Sequence, residues 1–260
     1  MSAPSVEVES RGAVAVVTIN RPDSGNSLSL QVGMDLMAAA LTCSRNPAVR
    51  AVVLTGAGRN FCFGGDLRSA ASKGTAMDAY LRELTTYLHS AQSQFVRMDA
   101  PVIAAVNGTA AGAGIGLVLT ADLAVCGKNS KFISAYTGAG LTPDAGVSFM
   151  LPRVVGAKRA MELMLLNRAL VAEEALSWGL VNEVVADDEV VGRAIAIGEK
   201  LAAGAAQAFG STKRLVAASL GPLERQMTLE SETIVVRSNS AEGREGVAAF
   251  LEKRKPNFAG

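Results

Sequence analysis

A single histidine, one tryptophan and three cysteines in 260 residues withhold the raw material for several kinds of chemistry. His89 stands alone in a helical stretch, where a lone histidine is more often structural, so any histidine metal site or triad would have to use it. Cys43, Cys62 and Cys126 are far apart, fit no metal-ligand spacing and are odd in number, which argues against a disulfide framework. No G-x-S-x-G elbow, P-loop or H-E-x-x-H is present. Excess charge is missing too: 25 Lys and Arg face 24 Asp and Glu, interspersed, for a formal net charge of +1. That leaves neither the basic footprint of a nucleic-acid binder nor a polybasic membrane patch. Residues 1–10, MSAPSVEVES, carry no basic n-region and no apolar h-region. The apolar stretch from Pro101 to Val125 is broken by Asn107, several glycines and Asp122, and reads as strand, turn, helix and strand. The expectation is a soluble, cytoplasmic protein with no metal, no nucleic-acid partner and no membrane partner.

What remains is 49% hydrophobic residues and 26 glycines. Ala13–Ile19 (AVAVVTI) reads as a first strand and Ala51–Thr55 (AVVLT) as a second; Val102–Val106 is a third. Apolar spacing predicts helices over Ser29–Cys43, with Ser29 as N-cap, and over Met77–Met98. Ser69–Thr75 is small and polar and reads as a loop. Strands alternating with helices predict βαβ units and a mostly parallel sheet. After about Pro152 the pattern turns helical, over Ala157–Leu166, Ala172–Trp178, Val190–Ala203, Ser211–Leu220, Leu223–Arg237 and Ala241–Lys255. Leu180–Val185 is the one extended interruption. The apolar faces of the last helices suggest docking on another subunit.

Two glycine-rich loops follow two buried strands: Phe63-Gly64-Gly65-Asp66 after the second, and Gly108–Gly116 after the third. If those strands are neighbours, both loops emerge at one sheet edge, and each can offer a backbone N–H to a single oxygen. The bland alternative is that the glycines only permit tight turns. A dinucleotide fingerprint does not fit, because its third glycine would fall on Leu117. Asp144, in Leu141-Thr142-Pro143-Asp144-Ala145-Gly146, has two readings. Bare spacing favours a helix N-cap. Its apolar and small neighbours suit a carboxylate base whose proton affinity is raised by burial.

The motifs Asn20-Arg21-Pro22 with Asn26, Phe61 to Leu67, Pro101 to Gly114, and Pro143-Asp144-Ala145-Gly146 with Leu151-Pro152-Arg153 occur in order along the chain. With Ala175 to Val181 and the ending Phe250 to Lys255, they resemble the enoyl-CoA hydratase/isomerase (crotonase) family. The resemblance implies an α/β fold, a crotonase-like ββα spiral core over residues 1–195, and a helical C-terminal trimerisation region over residues 196–260. It implies an acyl-CoA thioester as ligand, with coenzyme A part of the substrate and no separate cofactor, and a homotrimer or a hexamer of two trimers. The family's oxyanion-hole positions fall on the N–H groups of Gly65 and Ala113. Ser24, Gly25, Phe63, Asp66 and Leu67 fall on positions that line the CoA arm. Gly112 and Tyr136 fall at the substrate site, and Phe250 and Lys253 on the terminal helix that meets a neighbour's nucleotide.

The two glutamates of the family's hydratases correspond to Gly116 and Tyr136. Glycine cannot move a proton and tyrosine is a poor base at neutral pH, so efficient hydration is not expected. Asp144 falls where isomerases of the family place a working aspartate. The expectation is double-bond isomerisation with Asp144 as proton shuttle. The alternatives are a hydratase of weak or altered activity and a non-catalytic acyl-CoA-binding homologue.

Overall fold

The computed structural model describes residues 4–221 and 223–258. In chain order its first half comprises β1 (Val6–Arg11), β2 (Val14–Ile19), α1 (Leu30–Arg45), β3 (Ala51–Gly56), α2 (Leu67–Ala71), α3 (Met77–Arg97), β4 (Val102–Val106), β5 (Thr109–Ala111), α4 (Ala113–Thr120), β6 (Leu123–Gly127) and β7 (Lys131–Ile133). Then follow α5 (Val147–Val155), α6 (Ala157–Leu166), β8 (Leu170–Val171), α7 (Ala172–Ser177), β9 (Glu183–Val185), α8 (Val190–Ala202), α9 (Ala206–Leu220), α10 (Leu223–Ser238) and α11 (Ala241–Glu252).

Six strands form one sheet in the order β1-β2-β3-β4-β6-β9, and β5, β7 and β8 form a second. In the large sheet only the β1–β2 pair is antiparallel. β2, β3 and β4 read as unbroken apolar runs because both faces are covered. Val17, Leu54 and Ala104 belong to the main core with α1 and α3, whereas Val16, Val53 and Ala105 pack beneath α8. The period of two thus serves two separate cores.

Several expectations need correcting. β1 precedes the strand read as first; it escaped notice because only Val6 of VEVESR is buried, as befits a pairing at the sheet's edge. The strands of the second sheet are two or three residues long, too short to show a period. β8 also interrupts the helical second half. Of residues 69–75, read as a loop, 69–71 lie in α2 and 74–75 in a 3-10 turn at Gly74–Ala76, with Ser72 and Lys73 forming the turn between them. The Asp66 side chain starts α2 by accepting the Ser69 N–H, a capping effect that outweighs the weak local propensity. α9 begins at Ala206, earlier than the expected Ser211.

β3 and β4 are parallel neighbours, so the loops that leave them emerge at the same edge. Asn26 ties the loop after β2 to this edge. Its Oδ1 accepts the Arg21 N–H at 2.9 Å, and its Nδ2 donates to the carbonyls of Ala57 and Asn60 at 2.9 and 2.7 Å. It is fully buried with φ 56°, a left-handed backbone that asparagine tolerates. Asn26→Ala leaves three part-buried backbone groups without this partner, and is expected to cost about 2–3 kcal/mol, read as a fall in Tm of about 5–10 °C.

Candidate active site

Where the loops after β3 and β4 meet, two backbones touch with no side chain between them. A Cβ on Gly64 would stand 2.7 Å from the Ala111 carbonyl oxygen and 3.0 Å from the Ala113 nitrogen. Gly64 also has φ 80°, so glycine is required here by space and by conformation. The contact sets the next peptide, Gly65, beside the start of α4. Gly65 bridges to Leu28, and Ala113 is the first residue of α4. Among the described residues, neither N–H donates to a protein acceptor. Ala113 N–H lies at the positive end of a buried eight-residue helix. Two such unpaired donors, on residues that line one cavity, are of the kind that suits an oxygen on which negative charge develops.

That cavity, of about 70 Å³, is lined by Phe63, Gly65, Gly112, Ala113, Tyr136 and Asp144, together with apolar side chains of α3 and Ile234 of α10. Asp144 is 6% exposed. Burial pushes its carboxyl up to about 6, and hydrogen bonding from Tyr136 opposes the rise. The Tyr136 hydroxyl donates to Asp144 Oδ1. Burial also raises Tyr136 well above its ordinary value, with the Asp144 charge adding to the effect, so the phenol remains a donor. At neutral pH the arrangement is a desolvated carboxylate with one hydroxyl donor, in a cavity also lined by Gly65 and Ala113.

Asp144 is not the helix cap that its spacing favoured. The N-cap of α5 is Gly146, and the carboxylate that accepts the N–H groups of Gly146 and Ser148 is Glu230, from α10. Sequence reasoning missed Glu230, one of several acids on an amphipathic helix with no local signal of its own. His89 does have a structural bond, accepting the Ala145 N–H at Nε2 over 3.2 Å. Burial lowers it to about 4, so it is neutral at physiological pH. Tyr136, expected to shape the pocket or meet the substrate, does line the cavity and is also the partner of Asp144.

The remaining residues named from the sequence divide into two groups. Leu67 lines the cavity with Phe63, and Gly25 lies under the Phe63 ring, where a Cβ would meet Cδ2 at 2.3 Å. Ser24 turns inward, its hydroxyl donating to the Arg21 carbonyl. The Asp66 carboxylate is occupied by the α2 cap and by an ion pair with Arg21 at 3.0 Å. Burial pulls Asp66 up, but the Ser69 and Arg21 hydrogen bonds prevail and its pKa is lowered. Phe250, 62% exposed, and Lys253, the C-cap of α11, lie away from this cavity. Among the described residues no group of three or more His, Cys, Asp and Glu is placed to hold a metal ion, and no helix is long and apolar enough to cross a membrane.

Comparison with known proteins bears on what such a site does. Residues 9–260 match the family model described as enoyl-CoA hydratase/isomerase. A probable enoyl-CoA hydratase of Rhodobacter capsulatus is 41% identical over 261 residues, covering 100% of both chains. The 1,2-epoxyphenylacetyl-CoA isomerase of Escherichia coli is 37% identical over 250 residues, 95% of each chain. The crystal structure of an enoyl-CoA hydratase from Mycobacterium avium subsp. paratuberculosis superposes with a TM-score of 0.89 at 34% identity, covering 98% of this chain and 99% of that one. The chain belongs to the enoyl-CoA hydratase/isomerase family, with the crotonase fold, and is an acyl-CoA enzyme of that family.

Gly116 is packed as tightly as Gly64. A Cβ there would meet the Ala145 carbonyl oxygen at 2.4 Å and the Ala145 Cβ at 2.6 Å. A side chain at 116 therefore has to displace the turn that carries Asp144. Gly116→Glu is expected to lower Tm by about 5–10 °C through this overpacking without producing rapid addition of water to a 2-enoyl-CoA. Gly64→Ala is expected to part the two loops and lower kcat/KM by roughly 10²–10³-fold, the cost of one oxyanion donor, while circular dichroism stays native.

Proposed function

We propose that the protein moves a double bond in an acyl-CoA thioester by a proton shuttle through Asp144. The observation that carries this reading is one buried carboxylate, poised near 6, in a cavity whose only other titratable lining group is a tyrosine. With a 3-enoyl-CoA, Asp144 would take a proton from C2. The electron pair would delocalise onto the thioester oxygen, held by the N–H groups of Gly65 and Ala113. Protonated Asp144 would return the proton at C4, leaving the double bond between C2 and C3. One carboxyl suffices because the second transfer regenerates it. Hydration needs a second group to activate water, and Gly116 leaves no room for one.

The reaction draws on no cofactor beyond the coenzyme A of the substrate. The proposal includes CoA-arm contacts at Ser24, Gly25, Phe63, Asp66 and Leu67 and substrate contacts at Gly112 and Tyr136, with Phe250 and Lys253 reaching a neighbouring subunit's nucleotide. It also includes assembly of residues 196–260 on the 1–195 core into a trimer or hexamer in the cytoplasm. Support for assembly comes from the exposed apolar side chains Leu215, Val216, Leu229, Val236 and Phe250. Similarity to the 1,2-epoxyphenylacetyl-CoA isomerase supports a ring-bearing acyl group. A hydratase of altered activity is the second reading, favoured by the name of the Rhodobacter relative.

The test uses 3-hexenoyl-CoA and 2-hexenoyl-CoA with wild type and Asp144→Asn. Isomerisation is expected to fall by about 10³-fold or more in Asp144→Asn; turnover that survives the substitution sinks the proposed base. Rapid water addition to the 2-enoyl substrate would favour the second reading. Wild-type kcat/KM should drop about tenfold per pH unit below about 6, as the base becomes protonated.

The same burial has a thermodynamic counterpart. A carboxyl raised from 3.8 to about 6 on folding contributes its full stability below pH 4, and that contribution is lost as pH rises through 6. Asp144→Asn retains an acceptor for Tyr136 without the charge. It is expected to be more stable than wild type at pH 8, by on the order of 3 kcal/mol, and equally stable at pH 4, by chemical denaturation at both values.

A further inference from the structure

The turn that presents Asp144 closes on itself through the Val147 N–H to Asp144 carbonyl bond at 3.0 Å and is also held from outside. Ala145 (φ 55°) and Gly146 (φ 74°) are both left-handed, and an alanine in that well persists only where its surroundings over-determine it. Two helices do so here. From α3, His89 accepts the Ala145 N–H at 3.2 Å, and Gln92 Nε2 donates to the Ala145 carbonyl at 2.8 Å. From α10, Glu230 accepts the Gly146 N–H at 2.7 Å, the Ser148 N–H at 3.0 Å and the Ser148 hydroxyl at 2.5 Å. Gln226, one turn earlier on α10, donates to the Ser148 hydroxyl at 2.8 Å, which leaves that hydroxyl's own proton for Glu230.

Glu230 is 3% exposed and is not among the groups that line the cavity. It occupies the N-terminus of a helix whose own N-cap, Gly146, has no side chain to offer. We propose that Glu230 is a positioning residue for Asp144: by gripping Gly146 and Ser148, it sets the direction in which the turn delivers the Asp144 carboxylate to the substrate. The inference rests on Asp144 being the base. Gly65 and Ala113 belong to other loops, so loosening the grip should spare thioester binding and impair turnover. A residue needed only for general stability would not produce that split.

Two variants and two readouts test this. Glu230→Gln keeps the shape but turns one acceptor into a donor that faces a backbone N–H. Ser148→Ala is milder, removing one of three contacts, and serves if Glu230→Gln folds poorly. Amide hydrogen exchange at Gly146 and Ser148 is measured beside the kinetics of 3-hexenoyl-CoA, with Asp144→Asn run in parallel. In Glu230→Gln those two amides should exchange about tenfold faster, while the amides of Gly65 and Ala113 are unchanged. Its kcat should fall by about tenfold or more, with KM within roughly threefold. Ser148→Ala should move the same quantities less. Unchanged protection at Gly146 and Ser148 overturns the proposal, whatever the substrate. So does a loosened turn with wild-type kcat. If Asp144→Asn is inactive while Glu230→Gln matches wild type, the base stands and the role of Glu230 falls. If Asp144→Asn matches wild type, the base assignment itself has failed.

Discussion

Among the described residues, the hydroxyl of Tyr136 is the one side-chain donor bonded to the Asp144 carboxylate, and the rest of the site is arranged around that single bond. A carboxylate in an apolar cavity is strongly disfavoured unless something compensates. Several N–H donors would have stabilised the anion so well that it ceased to be a base. One phenol leaves it partly compensated, near 6. The groups behind it follow the same restraint. His89 is neutral and spent on a backbone N–H, and the buried carboxyl of Glu230 is bonded to Gly146 and Ser148.

That chemistry needs an oxygen held at a fixed place, which is the contribution of the sheet. Parallel pairing of β3 with β4 delivers two loops to one edge. Side chains are absent at Gly64 and confined to a methyl group at Ala113, so the loops close until backbone meets backbone. The proposed oxyanion donors are peptide groups, and their placement depends on strand register and packing. Asp144 arrives from a third direction, on a turn braced by α3 and α10. Three independently supported segments meet at one small cavity, each rigid for its own reason.

How far this was legible from the sequence depended on the range of the forces involved. β2, β3 and β4 announced themselves as unbroken apolar runs, and α1 and α3 by their periodicity and, for α1, by Ser29. β1 did not, because five of its six residues face solvent. Gly65 and Ala113 were named through motif resemblance alone, since a free N–H has no residue type of its own. For Asp144, local spacing pointed to a cap, and the actual cap comes from Glu230, 84 positions from Gly146. No local pattern encodes a partner that distant. Asp66 was placed by resemblance on the CoA arm; that its carboxylate also caps α2 and pairs with Arg21 had no signal in the motif.

The contact between Gly116 and Ala145 separates two chemistries in sequence space. A glutamate at 116 is incompatible with the turn at 145 as it stands, and moving that turn first would forfeit the placement of Asp144. The two changes are coupled through a shared backbone contact, so their effects do not add. A lineage changing one residue at a time from a one-carboxylate site to a two-carboxylate site would have to pass through a chain that folds poorly or does neither reaction. The barrier between the two activities is in this sense steric, and it would persist however strongly selection favoured the crossing.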